Sequence, residues 1–444
     1  MPNTLAEWLN YLETLNPKTI ALGLERVAEV KQRLKLQPCF PIIIVGGTNG
    51  KGSVCAILEA ILHAAGYRVG CYTSPHLLEY NERVRVSKNP ANDVELCAAF
   101  KKIELARTGQ LKIEGLSASP TISRGESGQL QEIPLTYFEF GTLAAVQMFI
   151  EQKIDVAILE VGLGGRLDAV NIFDADCAVV TSIDIDHTDY LGDTREKIAF
   201  EKAGIFRKGK VAVFGDFDMP EPIHAQAEKM GAELWRIGNE FTFTVHQGQW
   251  DFHGKKGNRS ALPFPALRGS YQLNNASAAL AALDALKSEL PVSMEAVRRG
   301  MVEVALSARF QMIPGKPSLI LDVAHNPHAA SALARTLANL PPSPKTYAVC
   351  AMLKDKDMAG VVAAMKAQVD VWLIGGINAP RGATAEELGL VVENAQVANS
   401  RRFDTVTEAV HHAYNQAGEN DRIVAFGSFY TVAEVMRARG LRSA

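Results

Sequence analysis

The stretch Ile42-Ile43-Ile44-Val45-Gly46-Gly47-Thr48-Asn49-Gly50-Lys51-Gly52-Ser53 sets a continuous β-branched run directly before a glycine-rich turn. From Ser53 to Ala65 apolar residues recur at helical spacing, until Gly66 stops the pattern. The order is therefore strand, loop, helix. In that context the backbone N–H groups of Gly47 to Ser53 and the start of the helix can cradle phosphate oxygens, with Lys51 as a point charge. The loop departs from the common G-x-x-x-x-G-K-[ST] form, because Val45 stands at its first position and Gly52 follows the lysine. A glycine-rich turn without a ligand is the plainer reading; the lysine and the flanking elements weigh against it.

The same alternation continues outward from this unit. Arg68 to Tyr72, Asp155 to Val161 and Cys177 to Ser182 read as buried strands, and Gly141 to Gln152 as a helix, which together predict a parallel sheet with helices on both faces. Phe241 to Phe252 alternates like a hairpin, and Asn275 to Leu290 reads as an Ala-rich helix stopped by Pro291. Between Ala106 and Pro134 neither period appears, so the stretch is expected to be a surface insertion. After a helix around Met294 to Met301, a second strand-helix series begins at Ser318 to Val323. It runs through Thr346 to Ala351, Val369 to Gly375 and Arg422 to Gly427, and ends in a helix from Thr431 to Arg439. Two α/β domains follow, joined near Val304 to Gln311, with Pro314-Gly315 as a competing boundary. Ligands of such proteins sit where strand carboxyl ends face the cleft.

Composition agrees with a folded chain of more than one domain: 444 residues, 47% apolar and 21% charged. Lys plus Arg number 46 against 49 for Asp plus Glu, a net charge of −3, so no global basic field exists to hold nucleic acid or anionic lipid. Without a membrane span or a signal-like start, the expected compartment is the cytoplasm. The six cysteines, Cys39, Cys55, Cys71, Cys97, Cys177 and Cys350, contain no Cys-x-x-Cys pair and read as thiols rather than as disulfides or a zinc site.

Polar residues just past strand ends are the candidates for chemistry. Glu160 closes the run Asp155-Val-Ala-Ile-Leu-Glu160 beside the phosphate loop, where a carboxylate can hold magnesium; a loop-closing glutamate is the structural alternative. Asp184-Ile-Asp-His187-Thr-Asp189 follows the next strand, and His187 there is either a metal ligand or an ordinary hydrogen-bonding residue. In the second domain, Asn326 and Pro327 of Asp322-Val-Ala-His325-Asn-Pro327 are an N-cap and a first helical residue, whereas Asp322 and His325 are expected to face the cleft.

With these residues in place the chain resembles the Mur ligase superfamily and, within it, the bacterial bifunctional dihydrofolate synthase/folylpolyglutamate synthase family. The matching motifs are Thr19 to Arg26, Gly47 to Ser53, Thr73-Ser-Pro-His76, Leu135-Thr-Tyr-Phe-Glu139, Leu159 to Asp168, Asp186-His-Thr-Asp189, Glu201-Lys-Ala-Gly-Ile205 and Asp322 to Pro327. The resemblance implies a P-loop ATPase domain with a mostly parallel sheet over residues 1–305, which binds ATP and pterin. It implies a smaller Rossmann-like glutamate ligase domain over 306–444. It implies ATP contacts from Thr48, Asn49, Gly50, Lys51, Gly52, Ser53, Asn275, Arg309 and Asp322, and magnesium, one ion or two, on Ser74, Glu160 and His187. Lys51, Lys202 and His325 become the catalytic set, with Lys202 matching a lysine the family carbamylates; by burial statistics alone Lys202 would be a solvated lysine. Ala21, Leu22, Gly23, Leu24, Thr136, Tyr137, Phe138 and Leu167 would form the pterin pocket.

The implied reaction joins L-glutamate to dihydropteroate and to reduced folates at the expense of ATP, by a monomer without nucleic acid or membrane partners. A monofunctional folylpolyglutamate synthase is the alternative. A cell-wall ligase is disfavoured because only about 40 residues precede the loop, too few for a nucleotide-sugar domain. A nucleotide switch that hydrolyses ATP without ligation is the rival from another class. Two positions depart from the family: Ala21 stands where aspartate is usual, and Ser307-Ala308-Arg309 stands where Pro-Gly-Arg is common.

Overall fold

The computed structural model describes residues 1–16, 20–111, 131–269 and 271–443. The first sheet contains β1 (Ile42–Gly46), β2 (Val69–Tyr72), β3 (Val84–Val86), β4 (Asn89–Pro90), β5 (Val156–Glu160), β6 (Cys177–Val180), β7 (Val211–Phe214) and β8 (Glu233–Arg236). Its order is β4-β3-β2-β5-β1-β6-β7-β8. The six strands from β2 to β8 across the centre are parallel, and β3 and β4 are antiparallel additions at one edge. β1 lies between β5 and β6, with Val45 in register with Glu160 and Gly46 with Val180. This register brings the glycine loop, Glu160 and the segment after β6 to one edge of the sheet. Hydrophobic layers cover both faces: Ile42 and Ile44 join one core, Ile43 and Val45 the other.

The expected hairpin is a three-stranded antiparallel sheet, because β9 (Phe241–His246) and β10 (Gln249–Gly254) are joined by β11 (Gly257–Leu262). The Ala-rich helix spans Gln272–Ala285, not Asn275 to Leu290; Leu286 leaves helical geometry and the chain reaches Pro291 through hydrogen-bonded turns. The helix expected from Gly141 begins at Tyr137, since the Thr136 hydroxyl accepts from Glu139 N–H while the Glu139 carboxylate accepts from Thr136 N–H. Of the expected insertion, Ala106 and Arg107 complete the helix Asp93–Arg107, and 112–130 lie outside the described residues.

The second sheet contains β12 (Gln311–Ile313), β13 (Ser318–Leu321), β14 (Thr346–Cys350), β15 (Val371–Gly375), β16 (Ser400–Phe403) and β17 (Arg422–Phe426), in the order β12-β13-β17-β14-β15-β16. All neighbours are parallel except β12, which pairs antiparallel with β13. The helix Met294–Glu303 packs on the helix Lys51–Ala64 of the first domain, so the crossing between domains follows it. Among the described residues no helix is long and apolar enough to cross a membrane.

Candidate active site

A cavity of about 420 Å³ opens between the carboxyl ends of the two sheets. Its first-domain wall is the glycine loop. A side chain at Gly47 (φ 137°) would strike the Thr181 hydroxyl at 1.9 Å, and one at Gly50 (φ 92°) would strike Asn275 Oδ1 at 2.5 Å, so both positions exclude a Cβ. The loop is tied to the segment after β6: Thr48 N–H donates to Ser182 O (2.7 Å), and Thr181 Oγ1 donates to Asn49 O (2.6 Å). The helix Lys51–Ala64 starts immediately behind, and the N–H groups of its first turn lack intrahelical partners. Lys51 folds back on the loop, donating to Gly47 O (3.0 Å) and Thr48 O (3.2 Å).

Lys202 is buried, and its ammonium reaches the same Gly47 carbonyl at 2.9 Å. Burial, reinforced by the nearby charge of Lys51, lowers its pKa to about 7. It is therefore not a solvated lysine. The loop after β5 grips it from behind, because a side chain at Gly165 would lie 2.9 Å from the Lys202 carbonyl oxygen. Glu160 is buried at the end of β5, where its Oε2 accepts from Ser74 N–H at 3.0 Å. Burial pushes its pKa up, and Lys51 opposes that shift. Of the candidate metal ligands Ser74, Glu160 and His187, all line the cavity. Burial lowers the His187 pKa to about 3, leaving the neutral imidazole that metal ligation requires. Glu160 offers the hard oxygen that a magnesium-type ion takes, although among the described residues no three His, Cys, Asp or Glu side chains converge as a metal cluster.

The second-domain wall presents Arg309, Asp322 and His325, also in the cavity lining. The Asp322 carboxylate accepts from Phe310 N–H and Ala324 N–H, both at 2.8 Å, and so fixes the turn carrying Arg309. Ala308 and Phe310 on either side have φ of 59° and 47°. A left-handed alanine is disfavoured by about 1–2 kcal/mol, and Ala308 is the middle residue of the Ser307-Ala308-Arg309 departure noted from the sequence. His325 Nδ1 donates to Val323 O (2.8 Å), turning Nε2 toward Asp186 Oδ2 at 3.6 Å. Asn326 caps the helix Pro327–Ala338 as expected, but its amide also exchanges hydrogen bonds with Asn49 of the glycine loop, at 3.1 and 3.2 Å.

Residues not singled out from sequence complete the cleft. Asp186 accepts from Lys356 Nζ at 2.6 Å; against the effect of burial, His325, His187 and Lys356 hold its pKa well below the carboxylate range. The Tyr271 and His328 rings lie 4.9 Å apart, tilted by 45°, and His328 Nδ1 lies 3.0 Å from Asn49 Nδ2. Lys356 follows β14 by the strand-end rule that selected Glu160, but its Lys354-Asp-Lys356-Asp surroundings read as solvated charge.

The residues proposed for the pterin form a separate cluster. Gly23 N–H donates to Leu167 O (3.5 Å), and Arg26 links Ala21 O (2.6 Å) to Glu139 (2.8 Å) at the start of the Tyr137–Glu151 helix. None of them lines the main cavity, yet Phe138 packs against Gly162, which does: a Cβ there would lie 2.7 Å from the ring.

Comparison with known proteins accords with this arrangement. Residues 118–283 match the Mur ligase middle domain and 308–429 the Mur ligase, glutamate ligase domain. The chain is 46% identical to the dihydrofolate synthase/folylpolyglutamate synthase of Escherichia coli strain K12, over 97% of this chain and 94% of that one. The chain belongs to the dihydrofolate synthase/folylpolyglutamate synthase family of Mur ligases. Its Haemophilus influenzae relative is 41% identical over 97% of this chain and 96% of its own. Among solved structures it is similar to E. coli FolC in complex with DHPP and ADP, with a TM-score of 0.89, 45% identity and 99% of both chains covered. It is also similar to a bifunctional enzyme with Mn, AMPPNP and L-glutamate bound, with a TM-score of 0.87, 45% identity, and 99% and 98% covered.

Proposed function

We propose that this chain is an ATP-dependent ligase that joins L-glutamate to dihydropteroate, forming dihydrofolate, and to reduced folates, forming folylpolyglutamates. The observation that carries the reading is one cleft with the glycine loop, Lys51, Glu160 and Lys202 on one wall and Arg309, Asp322 and His325 on the other. It stands in a chain 46% identical across nearly its whole length to an enzyme of that name.

The acceptor carboxylate is a poor electrophile until one of its oxygens becomes a leaving group. That oxygen attacks the terminal phosphorus of ATP, the bond to ADP breaks, and an acyl phosphate forms. The glutamate amine then attacks the acyl carbon, losing a proton, and inorganic phosphate departs with the original carboxylate oxygen. The obstacle is bringing two anions together. Like unit charges at about 4 Å repel by roughly 1 kcal/mol in water and about 4 kcal/mol at a protein site's effective dielectric. Lys51 and the loop amides cover the phosphates, and Lys51 exchanges its two loop carbonyls for phosphate oxygens as ATP enters. Asn275, against Gly50, and Arg309 extend the nucleotide contact. Magnesium held by Ser74, Glu160 and His187 supplies further neutralisation of phosphate charge.

Lys202 is the carbamylated residue in this reading. An amine with a pKa near 7 is substantially neutral at physiological pH and can add through nitrogen to carbon dioxide, releasing a proton and leaving a carboxylate. The pterin rests on Ala21 to Leu24, Thr136 to Phe138 and Leu167, whose Phe138 abuts the cavity wall. His325 acts from the second domain. Residues 1–305 carry the phosphate loop and the pterin pocket, residues 306–444 form the glutamate ligase domain and lend Arg309 and Asp322 to the nucleotide, and the free thiols suit the cytoplasm. The test is turnover of purified protein with ATP, magnesium and glutamate, comparing dihydropteroate and tetrahydrofolate as acceptors. Both are expected to be extended. Turnover with tetrahydrofolate alone would reduce the enzyme to the monofunctional type, and ADP release independent of glutamate would reject ligation.

A further inference from the structure

Asp186 stands at the end of the segment after β6, in the first domain, and receives three side chains of the second. Lys356 Nζ lies 2.6 Å from Oδ1, Asn326 Nδ2 lies 3.3 Å from Oδ2, and His325 Nε2 lies 3.6 Å from Oδ2. The side chains of Lys356 and Asp186 are 5% and 9% exposed, so this ion pair is buried in the lining of the cavity between the domains. Neighbouring charges of the second domain are engaged at home: Lys354 pairs with Glu387, Arg381 with Asp355, and Asp357 caps the helix Met358–Met365. Lys356 crosses the cleft instead. Asn326 bridges the same contact to the phosphate loop, since its amide faces both Asp186 and Asn49.

We infer that Asp186 is a positioning residue that docks the second domain through Lys356 and thereby places His325 and Arg309 over the phosphate loop. The inference deepens the ligase reading and rests on it. A loosened dock leaves the nucleotide loop intact within the first domain and withdraws Arg309 alone from the nucleotide, so it acts on amide formation more than on nucleotide affinity. Lys356 Nζ also lies 3.4 Å from His187 Nε2, so it borders the site while acting through its partners rather than on the reacting atoms.

The full-length chain carrying Lys356→Met, Asp186→Asn or both is compared with wild type and with Lys356→Arg. Three quantities are read: ADP affinity by calorimetry, kcat and KM for glutamate, and the ligand-free radius of gyration by small-angle X-ray scattering. Each neutral substitution is expected to lower kcat at least about tenfold, as loss of alignment does. ADP affinity should fall by less than kcat does, through the withdrawal of Arg309 alone, and the radius of gyration should rise. The double variant should be no worse than the poorer single one, because both remove one coupling. Lys356→Arg should retain most of kcat. Multiplying penalties in the double variant, or Lys356→Met with wild-type kcat and radius, overturns the inference, as does a loss of ADP affinity as large as the loss of kcat. If Asp186→Asn does not fold, Lys356→Met and Lys356→Arg carry the comparison. Absence of ligation by the wild-type chain would instead sink the ligase reading, leaving the scattering and ADP results to decide the dock.

Discussion

The two walls of the cleft solve opposite problems. On the first-domain wall, charges have few partners within the fold: buried Glu160 accepts from a single backbone N–H, and the ammoniums of half-buried Lys51 and buried Lys202 share one carbonyl, Gly47 O. On the second-domain wall the polar groups are largely satisfied by the fold, with Asp322 accepting two backbone N–H groups and Asn326 capping a helix. Unsatisfied buried charge is energetically costly, so it persists where a ligand completes it. The contrast supports the proposed division, phosphate and cation chemistry mainly on the first wall and positioning mainly on the second.

Substitutions that break this contrast should rank accordingly. Lys51→Ala removes the mobile cation of the phosphate loop and should lower acyl-phosphate formation by at least about 100-fold; near-normal ADP release with acceptor and glutamate present would refute that role. Lys202 comes next. Below about pH 7 it is protonated and cannot add to carbon dioxide; above, it is neutral. Enzyme depleted of carbon dioxide should regain activity on addition of bicarbonate, at a rate that climbs through about pH 7. Lys202→Ala should lose the response together with roughly 10- to 100-fold in activity, the range for supporting groups of metal sites. A wild-type enzyme indifferent to bicarbonate would exclude the carbamate.

Glu160→Gln keeps the hydrogen bond geometry but removes the charge, and should raise the magnesium concentration for half-activity about tenfold. An unchanged titration would remove Glu160 from the ligand set. The smallest effect separates structure from recognition in the pterin cluster. Thr136→Ala deletes the N-cap of the Tyr137–Glu151 helix and should lower stability by about 1 kcal/mol, read from the shift of the urea unfolding transition. Thr136→Ser retains the cap and should restore it. A dihydropteroate KM that rises in both variants would assign Thr136 to substrate as well.

What sequence made legible follows the same division. Glycines, a lysine and a carboxylate at strand ends announce themselves because their types are costly to place there without a use. The motif Leu135 to Glu139 carries a second signal beside its resemblance to a substrate pocket, because its T-x-x-E spacing is a capping box that starts the helix. Ala308 looked like a departure, and the structure shows its nature: an alanine in a left-handed turn at φ 59°. Asp186 and Lys356 could not be paired from sequence, since 170 residues separate them and only the closing of two sheets around one cleft brings them together. The strand-end rule located the segment of Asp186 but not that of Lys356, whose flanking charges read as solvated.

The central claim is that this cleft activates a carboxylate by transferring phosphate to it. Dihydropteroate labelled with ¹⁸O in its carboxylate, turned over with ATP and glutamate, tests it most directly by mass analysis of the phosphate released. The account predicts one labelled oxygen in each inorganic phosphate formed with dihydrofolate. Unlabelled phosphate, released alongside the same product, would contradict it.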